Sequence, residues 1–225
     1  MQYNADYYKE NKQNKDRIAL AWYGRLIKKM KLQPTYLDLG AGVGHLSKRL
    51  NGKKYSLENN AFALEQIQLN SPNSIVISDQ NEINEPIQTI VALHVFEHLN
   101  DFQINDFLNY LDRKNFSATH ILVVTPALHG TAHRIKKSNW EAFKDPTHIN
   151  LKTSELWDEI FLTFGYASVI KFADGFYDFP YSRSIFKNLK FGIKTVAQLI
   201  LAKPFLKVND GENNILLYSK IMLQK

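Results

Sequence analysis

A chain of 225 residues, 44% of them hydrophobic, is long enough for one α/β domain with a substantial core, and this composition excludes general disorder. The absence of cysteine excludes disulfides, thiolate nucleophiles and cysteine-ligated zinc, and it fits a reducing compartment. The net charge of +6 permits an anionic partner such as a lipid surface. The amino-terminal stretch is polar and has no apolar segment, so we expect a cytoplasmic protein without a secretory signal.

The first 34 residues predict an arm followed by a helix. Residues 1–14 are polar and carry three tyrosines, which is typical of a mobile or ligand-ordered arm. From Lys15 to Lys31, apolar residues such as Trp22 recur at helical spacing, and basic residues occupy the other face. Pro34 then breaks the chain. We expect this helix to pack as a lid on the edge of a sheet.

The stretch from Tyr36 to Leu50 predicts a short buried strand, a glycine turn and a helix that begins near His45. Glycines at every second position after Asp38 allow a ligand to approach the backbone, and the helix would point free amides at it. A dinucleotide fingerprint requires a third glycine where His45 stands, and a phosphate loop requires a lysine followed by Ser or Thr. Neither pattern is present.

Acidic residues follow the next two predicted strands. Lys54 to Leu57 is a predicted strand that ends in Glu58, twenty residues past Asp38. After a helix over residues 61–69, the strand over residues 74–78 ends at Asp79. Because adjacent parallel strands end side by side, Glu58 can accept both hydroxyl hydrogens of a bound ribose.

The remaining elements bring the predicted strand count to seven. The fourth strand, residues 89–93, runs into the segment HVFEHLND that begins at His94. Helices are predicted over residues 102–111 and 154–164, the second one stopped by Gly165. Three further strands are predicted over residues 120–125, 167–172 and 214–221.

Two motifs carry a resemblance to a known family. The pattern of Asp38 between apolar residues, followed by alternating glycines, resembles the first motif of class I S-adenosylmethionine-dependent methyltransferases. The segment LHVFEHLND resembles the post-strand signature of the ubiquinone-type small-molecule branch of these enzymes. Together the resemblance covers residues 36–172 and the last strand. It implies a Rossmann-like α/β fold, a seven-stranded sheet with helices on both faces and an antiparallel last strand.

The same resemblance implies the cofactor and the residues around it. S-adenosylmethionine would be bound, S-adenosylhomocysteine would be the product, and Asp79 with Gln80 would lie near the adenine. The expected activity is O-methylation of a small-molecule, lipid-linked or glycan acceptor. The expected cofactor-binding residues are Asp38, Gly40, Ala41, Gly42, Gly44, Glu58, Asn59, Asp79, Gln80, His94 and Val95.

Methyl transfer requires no protein nucleophile, because a sulfonium methyl is already electrophilic. A hydroxyl acceptor gains from a general base, and histidine is best matched to neutral pH. We therefore expect Glu97, His98 and His148 to be catalytic; for each histidine the structural alternative is a buried, hydrogen-bonded side chain. His94, Glu97 and His98 also spell the H-x-x-E-H pattern of some zinc proteases, which is a rival interpretation. We expect no metal, although Glu97, His98 and His148 are the candidate ligands if a divalent ion activates the acceptor.

Two further segments bear on partners. Residues 126–150, with Trp140, Phe143 and a cluster of basic side chains, are expected either to recognise the acceptor or to form a solvated loop. Between Ser182 and Lys207 there are six basic residues and no acidic one, with aliphatic residues at helical spacing. This helix is predicted to contact an anionic membrane; covering the core or forming a homodimer is the alternative. Nucleic acid is not expected as a partner, because no recognition module is visible.

The predicted organisation is a single methyltransferase domain in four parts. Residues 1–34 form the arm and lid helix, 35–173 the cofactor-binding core, 174–212 the basic helical insertion and 213–225 the last strand. A protein that keeps this fold as a binding scaffold without catalysis is the non-enzymatic alternative.

Overall fold

The computed structural model describes residues 15–114, 120–175 and 182–221. The predicted arm, residues 1–14, lies outside the described residues. Seven strands form one sheet in the order β3-β2-β1-β4-β5-β7-β6. Every described pairing is parallel except those of β7, which runs antiparallel to both β5 and β6. The strands are β1 (Tyr36–Leu39), β2 (Lys54–Leu57), β3 (Ile75–Ile77), β4 (Thr89–Leu93), β5 (His120–Pro126), β6 (Tyr166–Asp174) and β7 (Asn213–Lys220).

Helices cover both faces of this sheet, and short 3-10 turns follow three of the strands. The 3-10 turns are Ser47–Arg49, Gln80–Glu82 and Phe96–His98, with a fourth at Lys137–Asn139. The α-helices are α1 (Ile18–Lys29), α2 (Ala61–Asn70), α3 (Asp101–Arg113), α4 (Thr131–Lys136), α5 (Glu141–Lys144), α6 (Ser154–Thr163) and α7 (Ile185–Leu201). The predicted Rossmann-like fold with an antiparallel last strand is confirmed.

Alternation along the central strands divides the core between the two faces. In β5, Ile121 and Val123 join a cluster with α3 and α6, whereas Leu122 and Val124 join a cluster with α1. All four side chains are fully buried. A strand that is apolar at every position is expected where helices cover both sides of a parallel sheet.

The amino-terminal helix α1 packs on one face of the sheet. Trp22 and Leu26 join a cluster with Val91 and Leu122 of central strands, and Trp22 also contacts Phe172 of the edge strand β6. One sequence-based expectation about a helix is wrong. The chain after the glycine turn forms only the 3-10 turn Ser47–Arg49, not an α-helix beginning near His45. Of the described helices, none combines the length and apolarity that crossing a membrane requires.

Candidate functional site

A cleft of about 1420 Å³ opens at the carboxyl ends of β1, β2 and β4, where the predicted site residues meet. An open parallel sheet binds ligands at this position because consecutive loops diverge there. Two predicted residues, Gly44 and Glu97, are not on its surface. The predicted residues that line it are Asp38, Gly40, Ala41, Gly42, Glu58, Asn59, Asp79, Gln80, His94, Val95, His98 and His148.

The three glycines of the turn after β1 serve different purposes. A Cβ on Gly40 would stand 2.7 Å from Val95 Cγ2, so this glycine lets the loop after β4 approach the turn. A Cβ on Gly44 would stand 3.1 Å from the backbone of Ile67 in α2. A Cβ on Gly42 would meet no protein atom within 4 Å. Gly42 is therefore the position at which the turn leaves room for a ligand.

Asp38 lies inside β1 rather than at its end, and its carboxyl is 2% exposed. Burial raises the pKa of Asp38 to about 7, and the neighbouring negative charge of Glu58 acts in the same direction. The hydrogen bond that Ser47 Oγ donates to this carboxyl opposes the shift. Ser47 Oγ also lies 2.7 Å from Ser56 Oγ, so the carboxyl is tied to β2 as well. Asp38 thus forms the floor of the cleft.

Glu58 is held by the turn that it faces. Its Oε2 accepts from the Gly42 amide at 2.9 Å, and its Oε1 accepts from the Asn59 and Asn60 amides at 2.9 and 3.0 Å. Burial raises its pKa, although these three amides oppose the shift. A carboxylate offers about four lone-pair sites, so this conformation leaves one for a ribose hydroxyl instead of the two expected from sequence.

Asp79 is exposed and begins the 3-10 turn Gln80–Glu82 at the far end of the cleft. Its Oδ1 accepts from the Asn81 amide at 2.7 Å, while Glu82 accepts from the Asp79 amide at 2.9 Å. Tyr110 of α3 donates to the Gln80 carbonyl at 2.6 Å. These contacts fix the loop after β3.

His94 follows β4 directly and has a left-handed backbone conformation, with φ of 57°, which non-glycine residues rarely adopt. Its amide donates to the Val124 carbonyl at 2.9 Å, and its Nδ1 lies 3.0 Å from Glu97 Oε1. The turn brings both His94 and Val95 to the cleft wall. The strained backbone belongs to the loop that faces the glycine turn.

Glu97, His98 and His148 form one cluster, with ligand-capable atoms all within 4.8 Å of one another. The two imidazole rings are 4.7 Å apart between centroids. Glu97 is fully buried, and within the described chain its Oε2 has no hydrogen-bond partner. The segment after β5 therefore folds back onto the loop after β4. This brings together the three residues that the sequence analysis had proposed to act together.

Hydrogen bonds fix the proton on each of these histidines. His148 Nδ1 lies 2.7 Å from the Ala142 carbonyl, which can only accept, so Nδ1 carries the hydrogen. His98 Nδ1 lies 3.2 Å from the Thr147 carbonyl and 2.9 Å from Thr147 Oγ1. Because the hydroxyl hydrogen of Thr147 is donated to Asp145 Oδ1, both atoms accept from His98 Nδ1, which is therefore protonated. In the neutral state both rings thus keep a basic Nε2. Burial lowers the pKa of His98, and the charge of Glu97 opposes that shift.

The structure adds a buried carboxyl that sequence analysis missed. Asp174, at the end of β6, is fully buried and accepts from Tyr23 of α1 and, at 2.8 Å, from Asn213 of β7. Burial raises its pKa, while the nearby His94 lowers it. Tyr23 and Asn213 both line the cleft. An acidic residue at a strand end was the available signal, but its two partners lie 151 and 39 positions away.

The aromatic and basic segment after β5 is largely folded on itself. His133 stacks on Trp140 with centroids 5.0 Å apart and accepts from the His129 amide at 2.9 Å. Trp140 is fully buried and lines the cleft, whereas Phe143 is half exposed outside it. Burial lowers the pKa of His133. Trp140 therefore reaches the cleft, as do Lys144 and His148 of the same segment, whereas Phe143 and His133 do not line it.

The zinc-protease interpretation requires H-x-x-E-H on an α-helix. Here His94 follows β4 directly, and the other two residues lie in the 3-10 turn Phe96–His98. His94 Nδ1 lies 3.0 Å from Glu97 Oε1, and the histidine that joins Glu97 and His98 in the cluster described above is His148, not His94. The spacing therefore does not form that protease site.

Strand order, the glycine turn and the acids around one cleft together define a class I S-adenosylmethionine-dependent methyltransferase. A family model described as a methyltransferase domain matches residues 4–170. The chain belongs to this methyltransferase family, and its cofactor is S-adenosylmethionine.

Solved structures with the same fold include an S-adenosylmethionine-dependent methyltransferase from Archaeoglobus fulgidus, with 15% identity and a TM-score of 0.60 over 96% of this chain and 100% of that one. The methyltransferase domain of bacterial CtHen1 has 12% identity and a TM-score of 0.59 over 91% of this chain and 97% of that one. Magnesium protoporphyrin IX methyltransferase from Synechocystis, with bound S-adenosylmethionine, has 12% identity and a TM-score of 0.53 over 90% of this chain and 76% of that one. No curated protein sequence matches the chain significantly.

Proposed function

We propose that the protein methylates an oxygen of a small-molecule, lipid-linked or glycan acceptor and that His98 and His148 supply the general base. The observation that supports this proposal is the pair of imidazoles at the cleft, each with its Nδ1 hydrogen bonded to a carbonyl. Each ring therefore offers Nε2 as a proton acceptor. Hydroxyl acceptors need such a base, since oxygen loses its proton as it gains the methyl group.

In the proposed step, the acceptor oxygen attacks the sulfonium methyl in line with the departing sulfur. The O–CH₃ bond forms, the S–CH₃ bond breaks, and the hydroxyl proton moves to Nε2 of one histidine, which leaves S-adenosylhomocysteine and an imidazolium. Holding the two reactants in line accounts for the larger part of the acceleration. Glu97, buried beside His98, stabilises the imidazolium through its negative charge.

The proposal is tested with His98→Gln and His148→Gln, using His120→Gln as a matched control at the start of β5. Label from methyl-labelled cofactor is followed into organic and aqueous extracts of cells that lack the protein. We expect label on oxygen, a rate loss of about 10²- to 10⁴-fold in the two cleft variants, and unchanged S-adenosylhomocysteine affinity. Label on nitrogen or carbon would refute the O-methylation proposal. No methyl transfer to any fraction by protein that binds cofactor would favour the scaffold alternative.

A divalent metal is a second candidate for activating the acceptor, and it differs from the expectation made from sequence. Glu97 Oε2 is buried and has no hydrogen-bond partner in the described chain, and ligand-capable atoms of Glu97, His98 and His148 lie within 4.8 Å of one another. The carbonyls that hold each Nδ1 orient the rings as partners of metal-bound histidines do. Glu97, His98 and His148 would hold the ion, which would lower the pKa of a bound hydroxyl.

The two candidates make opposite predictions for metal titration. Calorimetry of the protein with Mg²⁺, Mn²⁺ and Zn²⁺ separately should show binding that His148→Gln abolishes and His120→Gln leaves intact, if the metal is used. Absence of both heat and any change in rate with added metal or chelator would leave the histidine base as the mechanism.

A further inference from the structure

Helix α7 presents an apolar stripe to solvent. With about 100° of rotation per residue, six aliphatic and aromatic side chains fall within an arc of roughly 100°. Phe186 is 84% exposed and Ile185 is 81% exposed. An ordinary surface helix buries such a stripe against the core. The exposed residues are Ile185, Phe186, Leu189, Ile193, Val196 and Ile200.

The opposite face of the helix is fixed to the protein, so the stripe cannot turn inward. The single buried residue of α7 is Gln198, whose side chain donates to the Ala173 carbonyl at 3.0 Å and accepts from the Phe205 amide at 2.9 Å. The Gln198 carbonyl accepts from Trp22 Nε1 at 2.7 Å, and Arg25 donates to the Leu199 carbonyl at 2.6 Å. These hydrogen bonds, together with the packing of Leu199 and Phe191 against core clusters, hold this face on the protein, and the stripe points outward.

Positive charge lies beside the stripe. Lys187, Lys190 and Lys194 occupy the adjoining arc of the helix, and no described carboxylate pairs with any of them. Residues 182–207 contain no acidic residue and six basic ones, a sum of +6 that equals the net charge of the chain. The six are Arg183, Lys187, Lys190, Lys194, Lys203 and Lys207.

These observations favour one occupant of the stripe. Pairing with a second copy would bring two segments of +6 together, and this repulsion opposes dimerisation. Helices that lie in a lipid interface combine an exposed apolar face, a lysine-rich flank and an aromatic side chain. Anionic headgroups also neutralise the lysines.

We propose that α7 binds the surface of an anionic membrane, with the stripe inserted at headgroup level and the lysines on lipid phosphates. Phe191 joins α7 to the cluster that contains Trp140, and Trp140 lines the cleft. Bound in this way, the helix holds the cleft next to the lipid. The membrane contact itself does not depend on which acceptor is methylated.

The absence of cysteine allows a direct test, because one introduced cysteine gives a unique labelling site. Phe186→Cys is labelled with an environment-sensitive dye, and Phe102→Cys, 79% exposed on α3, is the matched control. Vesicles of phosphatidylcholine with and without phosphatidylglycerol are added. We expect a blue shift at residue 186 only, with anionic vesicles only, and weakening with added salt. A shift that needs no lipid and grows with protein concentration would instead show self-association and overturn the proposal.

Charge is tested separately by vesicle co-sedimentation. Lys190→Glu should weaken binding to the anionic vesicles about tenfold or more, whereas Lys114→Glu, which makes the same change of net charge just after α3, should have little effect. All variants are first tested for S-adenosylhomocysteine binding at the affinity of the parent. This separate measurement detects misfolding or a wrong cofactor assignment, so that neither is mistaken for a loss of vesicle binding. Equal binding to neutral vesicles, or no binding by folded protein, overturns the proposal.

Discussion

Replacing Gly42 or Gly44 by alanine should damage the protein in two different ways. Both glycines have positive φ, +53° and +83°, so both variants carry a similar backbone penalty of about 1–2 kcal/mol. The difference between them lies in what the new methyl group meets. At Gly44 it stands 3.1 Å from the Ile67 backbone, which cannot move aside as a side chain tip can.

The structure therefore separates stability from cofactor binding at these two positions. Gly44→Ala adds an overpacking term of about 1–3 kcal/mol to the backbone penalty, for a total loss near 2–5 kcal/mol. Gly42→Ala keeps the amide that donates to Glu58 and loses only about 1–2 kcal/mol of stability. Its methyl group enters the open space over the turn, where we expect S-adenosylhomocysteine affinity to fall at least about tenfold, or about 1.4 kcal/mol.

Urea unfolding and calorimetric titration with S-adenosylhomocysteine measure the two effects on the same samples. The decisive comparison is the difference in unfolding free energy between the two variants, because the backbone penalty that they share cancels in that difference. If Gly42→Ala bound the cofactor product like the parent, the assignment of this turn as the cofactor cradle would be refuted. If Gly44→Ala were as stable as Gly42→Ala, the contact with α2 would not have the assigned effect.

Three further results are expected. The pKa of Asp38 in the folded state, about 7, exceeds its ordinary value, so the folded state keeps a proton that the unfolded state loses. Between about pH 4 and pH 7 this group should therefore lower the free energy of unfolding by up to about 1.4 kcal/mol for each pH unit of increase. Urea unfolding of Asp38→Asn across this range should show a smaller dependence on pH. Glu58→Gln should weaken S-adenosylhomocysteine binding about 10- to 100-fold in calorimetry, as expected for loss of a charged acceptor, whereas the exposed control Glu65→Gln should not. Phe161→Ala, on the buried face of α6, should lower stability by about 3–5 kcal/mol in thermal or urea unfolding; a loss below 1 kcal/mol would contradict the packing.

Strands were the best predicted part of the fold, because each is a run of apolar residues bounded by turn residues. The predicted limits of β2 and β4 agree with the structure, β5 ends one position later than predicted, and β3, β6 and β7 differ by one or two positions at each end. The expected helix from His45 failed because six residues are too few for helical periodicity to be decisive. The conformation of the chain after Gly44 depends on the close approach of Gly44 to α2, which is a tertiary contact.

The candidate site was also predicted only in the part that depends on local sequence, and its long-range contacts were not predicted. Spacing placed Asp38, Glu58 and Asp79 around one cleft, since parallel strands end at one edge of the sheet. Spacing could not show that Glu58 is already bound by three amides, because that depends on side-chain rotamers. The contact of Tyr23 with Asp174 spans 151 positions, and no local pattern contains it.

The position of β7 bears on how the chain reaches its native state during synthesis. This strand comes last in the sequence among the seven, but it lies between β5 and β6. Until residues 213–220 leave the ribosome, β6 has no neighbour to pair with, and one side of β5 stays open along seven apolar-rich positions. An unpaired edge of this kind recruits other extended chains. Nascent forms that lack β7 are therefore the ones that chaperones must shield.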